Sequence, residues 1–143
     1  MDINYIFNLK AGKELDLLIA KKIMGSKIIY VDFGNILRPL EYCAHPIPFE
    51  KCKRIYNSTS SNIPPYSTDI GAAWEVLNLI IQKKNSNYTW TGPQFNADDH
   101  KFKWFAKIVI NYSTYQIQGY TAPEVICKSA LLINCEEKIK TIN

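Results

Sequence analysis

The sequence has no apolar run close to the ~18 residues that a membrane-spanning helix needs. Its amino end, Met-Asp-Ile-Asn-Tyr-Ile-Phe-Asn, lacks the basic stretch and the apolar segment of a secretory signal, which predicts a cytoplasmic protein away from the membrane. Arginine is scarce, two residues against fifteen lysines. Readers of nucleic acid rely on bidentate arginine contacts, so a nucleic-acid polymer is not an expected partner. The net charge of +4 then reads as a modest attraction for small anions. With 20 isoleucines and 12 asparagines beside those lysines, much of the basicity reflects AT-rich coding sequence. Only two histidines occur, and there is no paired-histidine motif, phosphate loop, strand-linked glycine fingerprint or nucleophile elbow. No catalytic residue, metal or cofactor is assigned, and the chain reads as a non-enzyme.

Two groupings come nearest to chemistry. Asp98, Asp99 and His100 are of metal-ligating type, but a charged, solvated turn between strands accounts for them. Cys43 or Cys52 beside His45 lacks a third group to orient a nucleophile pair. The four cysteines, Cys43, Cys52, Cys127 and Cys135, are spaced too widely for a zinc knuckle and read as reduced structural thiols.

What is present fits one domain over residues 1–143. A 47% hydrophobic content with 21% charge is ordinary globular composition. Leu15, Leu18, Ile19 and Ile23 recur at helical spacing between Gly12 and Gly25. Residues 27–33 form a β-rich run. Residues 34–65, punctuated by five prolines, predict a long loop with a short strand at Lys53–Tyr56. A strong helix follows, with Ile70, Ala73, Trp74, Leu77 and Ile80/Ile81 on one apolar face, Ser67 or Thr68 as cap and Asp69 in the first turn. Trp74 and Trp104 are expected in the core, where Trp74→Ala would cost about 3–5 kcal/mol. Three strand runs, Tyr88–Phe95, Phe102–Ile110 and Tyr115–Tyr120, have short polar connections and predict an antiparallel meander. Thr121-Ala-Pro-Glu124 is a capping box opening a last helix to about Asn134. The expected class is α+β, an α/β/α sandwich with a mainly antiparallel sheet and three helices.

Three blocks carry a resemblance: Gly12-Lys-Glu-Leu-Asp-Leu-Leu-Ile-Ala-Lys-Lys-Ile-Met-Gly25, Tyr66-Ser-Thr-Asp-Ile-Gly-Ala-Ala-Trp-Glu-Val76 and Thr121-Ala-Pro-Glu-Val-Ile-Cys-Lys-Ser-Ala-Leu-Leu132. In this order they resemble the phage ABA sandwich domain family, small proteins of phages and prophages, over about residues 10–134. The resemblance implies the sandwich fold and a viral context in the host cytoplasm. It implies no enzyme activity. Residues 34–65 and 91–101 are longer than the family's usual loops.

The expected ligand site rests on two helix starts, each with a tyrosine before hydroxyl residues: Tyr66-Ser67-Thr68 and Tyr120-Thr121. A helix start offers free N–H groups and partial positive charge to a phosphate, and a neighbouring tyrosine can stack on a base. Asp69 weakens the first, since it already occupies the positive end. Trp90, just before Gly92-Pro93, reads as a residue at a pocket mouth, and Lys103 as part of a cationic stripe with Lys101 and Lys107. The expectation is an accessory protein that sequesters a cyclic or ADP-ribose-type signalling nucleotide of antiphage defence, as a homo-oligomer. The alternatives are a protein-binding inhibitor working through the 34–65 loop, and a metal-dependent nuclease or phosphodiesterase using Asp98, Asp99 and His100.

Overall fold

Helix α4, Ala122–Ile142, runs through the middle of the protein. Every residue from Val125 to Ile133 in it is buried, so the helix is enclosed on all sides rather than along one stripe. The sequence places its end near Asn134; the computed structural model carries it two turns further. The structure describes residues 1–33, 36–42, 60–61, 63–83, 87–98 and 102–142. The expectations for Cys43, His45, Cys52, Lys53–Tyr56, Asp99, His100 and Lys101 lie outside those residues.

One side of α4 packs on an antiparallel sheet of β4 (Tyr88–Asn96), β5 (Lys103–Ile110) and β6 (Ser113–Gly119), in that spatial order. Alternation decides its faces. Ala106, Ile108, Ile110 and Ile117 are buried in the common core, whereas Lys107, Thr114, Gln116 and Gln118 face out. The register of β4 on β5 slips between Thr91 and Gln94, a bulge that accommodates Gly92-Pro93 inside a strand. β5 and β6 are joined by Asn111 and Tyr112, both at positive φ, the geometry of a type I′ hairpin turn.

The other helices also pack on α4: α1 (Ile3–Asn8), α2 (Lys13–Lys22) and α3 (Ile70–Gln82). Among the described residues four helices therefore stand where three were expected. The additional one, α1, is short and asparagine-rich; Asp2 caps it, and Ile6, wholly buried, anchors it. A second antiparallel sheet comprises β1 (Ile28–Phe33), β2 (Ile36–Tyr42) and β3 (Ser60–Ser61). β2 corrects the loop expected from residue 34. Its prolines hid a run that pairs with β1 from Ile28↔Glu41 to Phe33↔Ile36. The α+β class with antiparallel sheets stands as expected.

The face of α3 also needs correcting. Ala73, Val76, Leu77 and Ile80 are buried, but Ile70, Trp74 and Ile81 are half or more exposed, Trp74 at 56%. Glu75, Asn78 and Gln82, at i, i+3 and i+7, form the helix's exposed polar stripe, the buried residues lie opposite, and Ile70, Trp74 and Ile81 occupy the flank between the two. Trp104 is partly buried against the core, and Ile108, Ile126 and Ala130 lie within it.

Candidate ligand-binding site

The two helix starts that look alike in sequence are built in opposite ways. At the first, Tyr66 and Ser67 are buried, at 2% and 0% exposure. The Ser67 N–H and hydroxyl both donate to Asp16 Oδ1 of α2, at 2.7 Å each, and the hydroxyl oxygen accepts the Gly12 N–H at 2.8 Å. These bonds satisfy a buried carboxylate and fasten the approach to α3 onto the start of α2. Ser67 and Thr68 do not cap α3. Asp69 is the N-cap, accepting the Ala72 N–H at 2.8 Å. The Thr68 hydroxyl is exposed, beside the Pro65 carbonyl. Tyr66 and Ser67 thus offer no surface to a ligand, and the carboxylate of Asp69 holds the helix start.

The second start is open. Tyr120 is 71% exposed, and Thr121 and Glu124 form the expected capping box. Glu124 N–H donates to Thr121 Oγ1, and Tyr120 N–H donates to Glu124 Oε2 at 3.1 Å. Gly119 makes this closeness possible, because a Cβ there would stand 2.9 Å from Glu124 Cδ and 3.0 Å from Val125 Cγ2. One turn on, Lys128 lies buried, donates to the Gln118 carbonyl at 3.0 Å and approaches Glu124 Oε1 at 3.7 Å. Burial pulls its ammonium below the usual lysine range, and Glu124 opposes that shift.

A cleft of about 200 Å³ opens beside this helix start, walled by Phe7, Asn8, Leu9 and Lys10 on one side and by Lys103, Gln118 to Tyr120, Glu124 and Lys128 on the other. Lys103 reaches it because β5 pairs Trp104 with Gly119, so the next step of the ladder sets Lys103 beside Tyr120. Lys128 is committed to Gln118 and Glu124. Lys10, which is exposed, and Lys103, which is partly so, bring further positive charge to the cleft. The linker Asn8-Leu9-Lys10 is also a wall of a second groove of about 350 Å³, over the start of α2. There Tyr5 donates its hydroxyl to Glu14, and that bond raises its phenol above the usual tyrosine range. In the first cleft the charge free for a ligand is that of Lys10 and Lys103, since the Tyr120 and Glu124 N–H groups at the helix start are already bonded to Glu124 and Thr121. Such a site suits a phosphate-bearing small molecule, bound by that charge.

The model of the phage ABA sandwich domain matches residues 17–131 of this chain. The chain belongs to the phage ABA sandwich domain family. A solved structure of a phage protein from Bacillus cereus ATCC 14579 resembles it at a TM-score of 0.49 and 24% identity, covering 87% of this chain and 95% of that one. A search of curated proteins finds no match. The domain match includes Lys103, Tyr120, Glu124 and Lys128, whereas α1 and Lys10, the facing wall of the cleft, precede it.

Of the residues expected at the site, this ABA sandwich domain brings Lys103, Tyr120 and Thr121 together at one end of the β5–β6 pair. Trp90 is elsewhere. It pairs with Ile108, five residues along β5 from Lys103 and so about 16 Å away. It packs against the core edge, and its buried indole N–H has no hydrogen-bond partner. Lys107 lies on the outward face of β5, away from the helices. Lys10 and Lys128 were not anticipated. For Lys128 a signal existed: a lone Glu124–Lys128 pair at i, i+4 opening an otherwise apolar run marks a charge folded inward with its partner. Cys127 and Cys135 are buried free thiols, and burial pushes Cys127 far above the usual thiol range. Among the described residues no His, Cys, Asp and Glu side chains gather in a group able to hold a metal ion. No described helix is long and apolar enough to cross a membrane.

Proposed function

We propose that this phage protein binds and sequesters a small signalling nucleotide, of cyclic or ADP-ribose type, in the cleft between the α1–α2 linker and the start of α4, and does so without chemistry. The observation that carries the reading is the meeting of Lys10, Lys103 and an exposed Tyr120 around one cleft beside a capped helix start. Sequestration requires affinity and abundance only. The site would act in the host cytoplasm, where a defence signal is produced. A cleft of about 200 Å³ is smaller than the ~300–1,000 Å³ of most ligand pockets, so a second copy of the chain is the expected cover for the rest of the ligand.

A different observation favours a second reading. The stripe of Ile70, Trp74 and Ile81 on α3 leaves large apolar groups in water, as surfaces that contact proteins do. In that reading the chain inhibits a host factor by surface contact.

Mass spectrometry of small molecules released on heating separates these readings, using protein purified after exposure to lysate from infected cells. Release of an intact nucleotide is the expected result. Release of a degraded nucleotide points to an enzyme, and an unchanged nucleotide pool points to protein binding; either outcome overturns sequestration.

A further inference from the structure

The two edges of the β4–β5–β6 sheet are finished differently. β4 is interrupted by the bulge between Thr91 and Gln94 and carries Pro93, which has no N–H to offer a further strand. β6, Ser113-Thr-Tyr-Gln-Ile-Gln-Gly119, has no proline, no charge and no register break. The ladder shows which of its backbone groups are spare. Asn111 N–H donates to the Asn87 carbonyl on the β4 side at 3.2 Å, so by alternation the odd-numbered residues of β5 bond to β4 and the even-numbered ones to β6. Through the register of Ala106 with Ile117 and Ile108 with Tyr115, the β6 residues bonded to β5 are the odd ones. Thr114, Gln116 and Gln118 therefore turn their N–H and C=O groups to the open edge. Two bonds from α4 agree with this, since Lys128 donates to the Gln118 carbonyl and Glu124 accepts the Tyr120 N–H. Those bonds close one end of the edge. Thr114 and Gln116, both exposed, make no such further bond among the described residues.

We propose that β6 pairs antiparallel with β6 of a second copy, about a two-fold axis at Tyr115, joining the two sheets into one of six strands. Such an axis sets Thr114 against Gln116 of the other copy, and Gln116 against its Thr114. Each pair exchanges two backbone hydrogen bonds, so the four bonds use every spare group of these two residues on both chains. The groups held by Lys128 and Glu124 stay as they are. The side chains of β6 are uncharged, so a chain of net charge +4 meets its copy with no like charges opposed across the new pair. The hairpin tip gains a neighbour as well. Tyr112 is fully exposed at φ 67°, a left-handed position that suits glycine or asparagine better than tyrosine. The same register brings it opposite Gln118 of the other copy, at the rim of the cleft. The pairing stands on the strand edge alone and holds whether or not the cleft takes a nucleotide.

The test is sedimentation velocity of the full chain over about a hundredfold range of concentration, where a small strand-pair interface should show a reversible monomer–dimer equilibrium. Amide hydrogen exchange at Thr114 and Gln116 should slow as the concentration rises. Two double variants then probe the register. Thr114→Glu with Gln116→Glu opposes like charges in both pairs and should weaken the dimer about tenfold or more. Thr114→Lys with Gln116→Glu sets opposite charges there and should dimerise at least as tightly as the parent. Gln116→Glu faces Lys107 within the chain in both variants, and both positions are exposed, so similar melting temperatures check that each is folded. A parent that stays monomeric throughout overturns the inference. A dimer that neither variant alters forms through another surface, such as the exposed stripe of α3, and overturns it too. Equal loss in both variants does the same, because position 114 then does not face position 116 of the other copy.

Discussion

Tyr66-Ser67-Thr68 and Tyr120-Thr121 are near-equivalents as sequence, and the fold turns one inward and the other outward. The difference originates far along the chain. Asp16, 51 residues before Ser67, accepts both of that serine's donors and draws the segment onto α2. Among the described residues nothing comparable reaches Tyr120. Its segment is held locally, by Glu124 four residues on, and its ring stays in water. A helix start with a hydroxyl and an aromatic is therefore either a tertiary lock or an open site. The deciding factor is a distant polar partner, not the motif.

The comparison is sharpened most by truncating the two tyrosines. Tyr66→Ala should lower unfolding free energy by about 3–5 kcal/mol in urea titration, the range for a fully buried large aromatic. Tyr120→Ala should change it by less than about 0.5 kcal/mol, as for an exposed position. Equal effects would erase the distinction between the two starts.

Asp16→Ala attacks the inward lock alone. It strands the buried N–H and hydroxyl of Ser67 and should cost about 2–4 kcal/mol by the same assay. Asp16→Asn, which keeps an acceptor, should recover part of the loss.

At the outward start the vulnerable point is Gly119. Gly119→Ala would drive a methyl against Glu124 and Val125, and should cost about 1–3 kcal/mol while displacing the capping carboxylate. A neutral substitution would show that the capping box tolerates movement.

Trp74, outside both starts, should also matter little. Being 56% exposed, its ring should cost less than about 1 kcal/mol on replacement by Ala, not the core-sized loss that helical periodicity suggested. A loss of several kcal/mol would mean that this face of α3 is covered in solution.

How far the fold can be read from its residues follows from the same contrast. Features decided within a few residues were legible: the Thr121/Glu124 box, the meander from Tyr88 to Gly119, and helices α2, α3 and α4. Features decided by distant partners were not. On α3 the stripe of Glu75, Asn78 and Gln82 marks the outer side, but Trp74 sits on the flank of the apolar face, and only the elements packed against the helix decide that this flank stays open. β2 needed β1 as partner to overcome the proline signal. At the site, Lys103 and Tyr120 were legible as a cation and an exposed aromatic. Lys10 was not, because it reaches the cleft only through the packing of α1 on α4.

The central claim is that the outward start, and not the inward one, holds the ligand. The direct measurement is the nucleotide recovered by heating folded protein purified from infected-cell lysate, compared among the parent, Lys103→Glu and Ser67→Ala. Reversing the charge at Lys103 should abolish recovery, while the folded fraction of Ser67→Ala should carry as much nucleotide per molecule as the parent. Full recovery from Lys103→Glu, with loss from folded Ser67→Ala, would contradict the account.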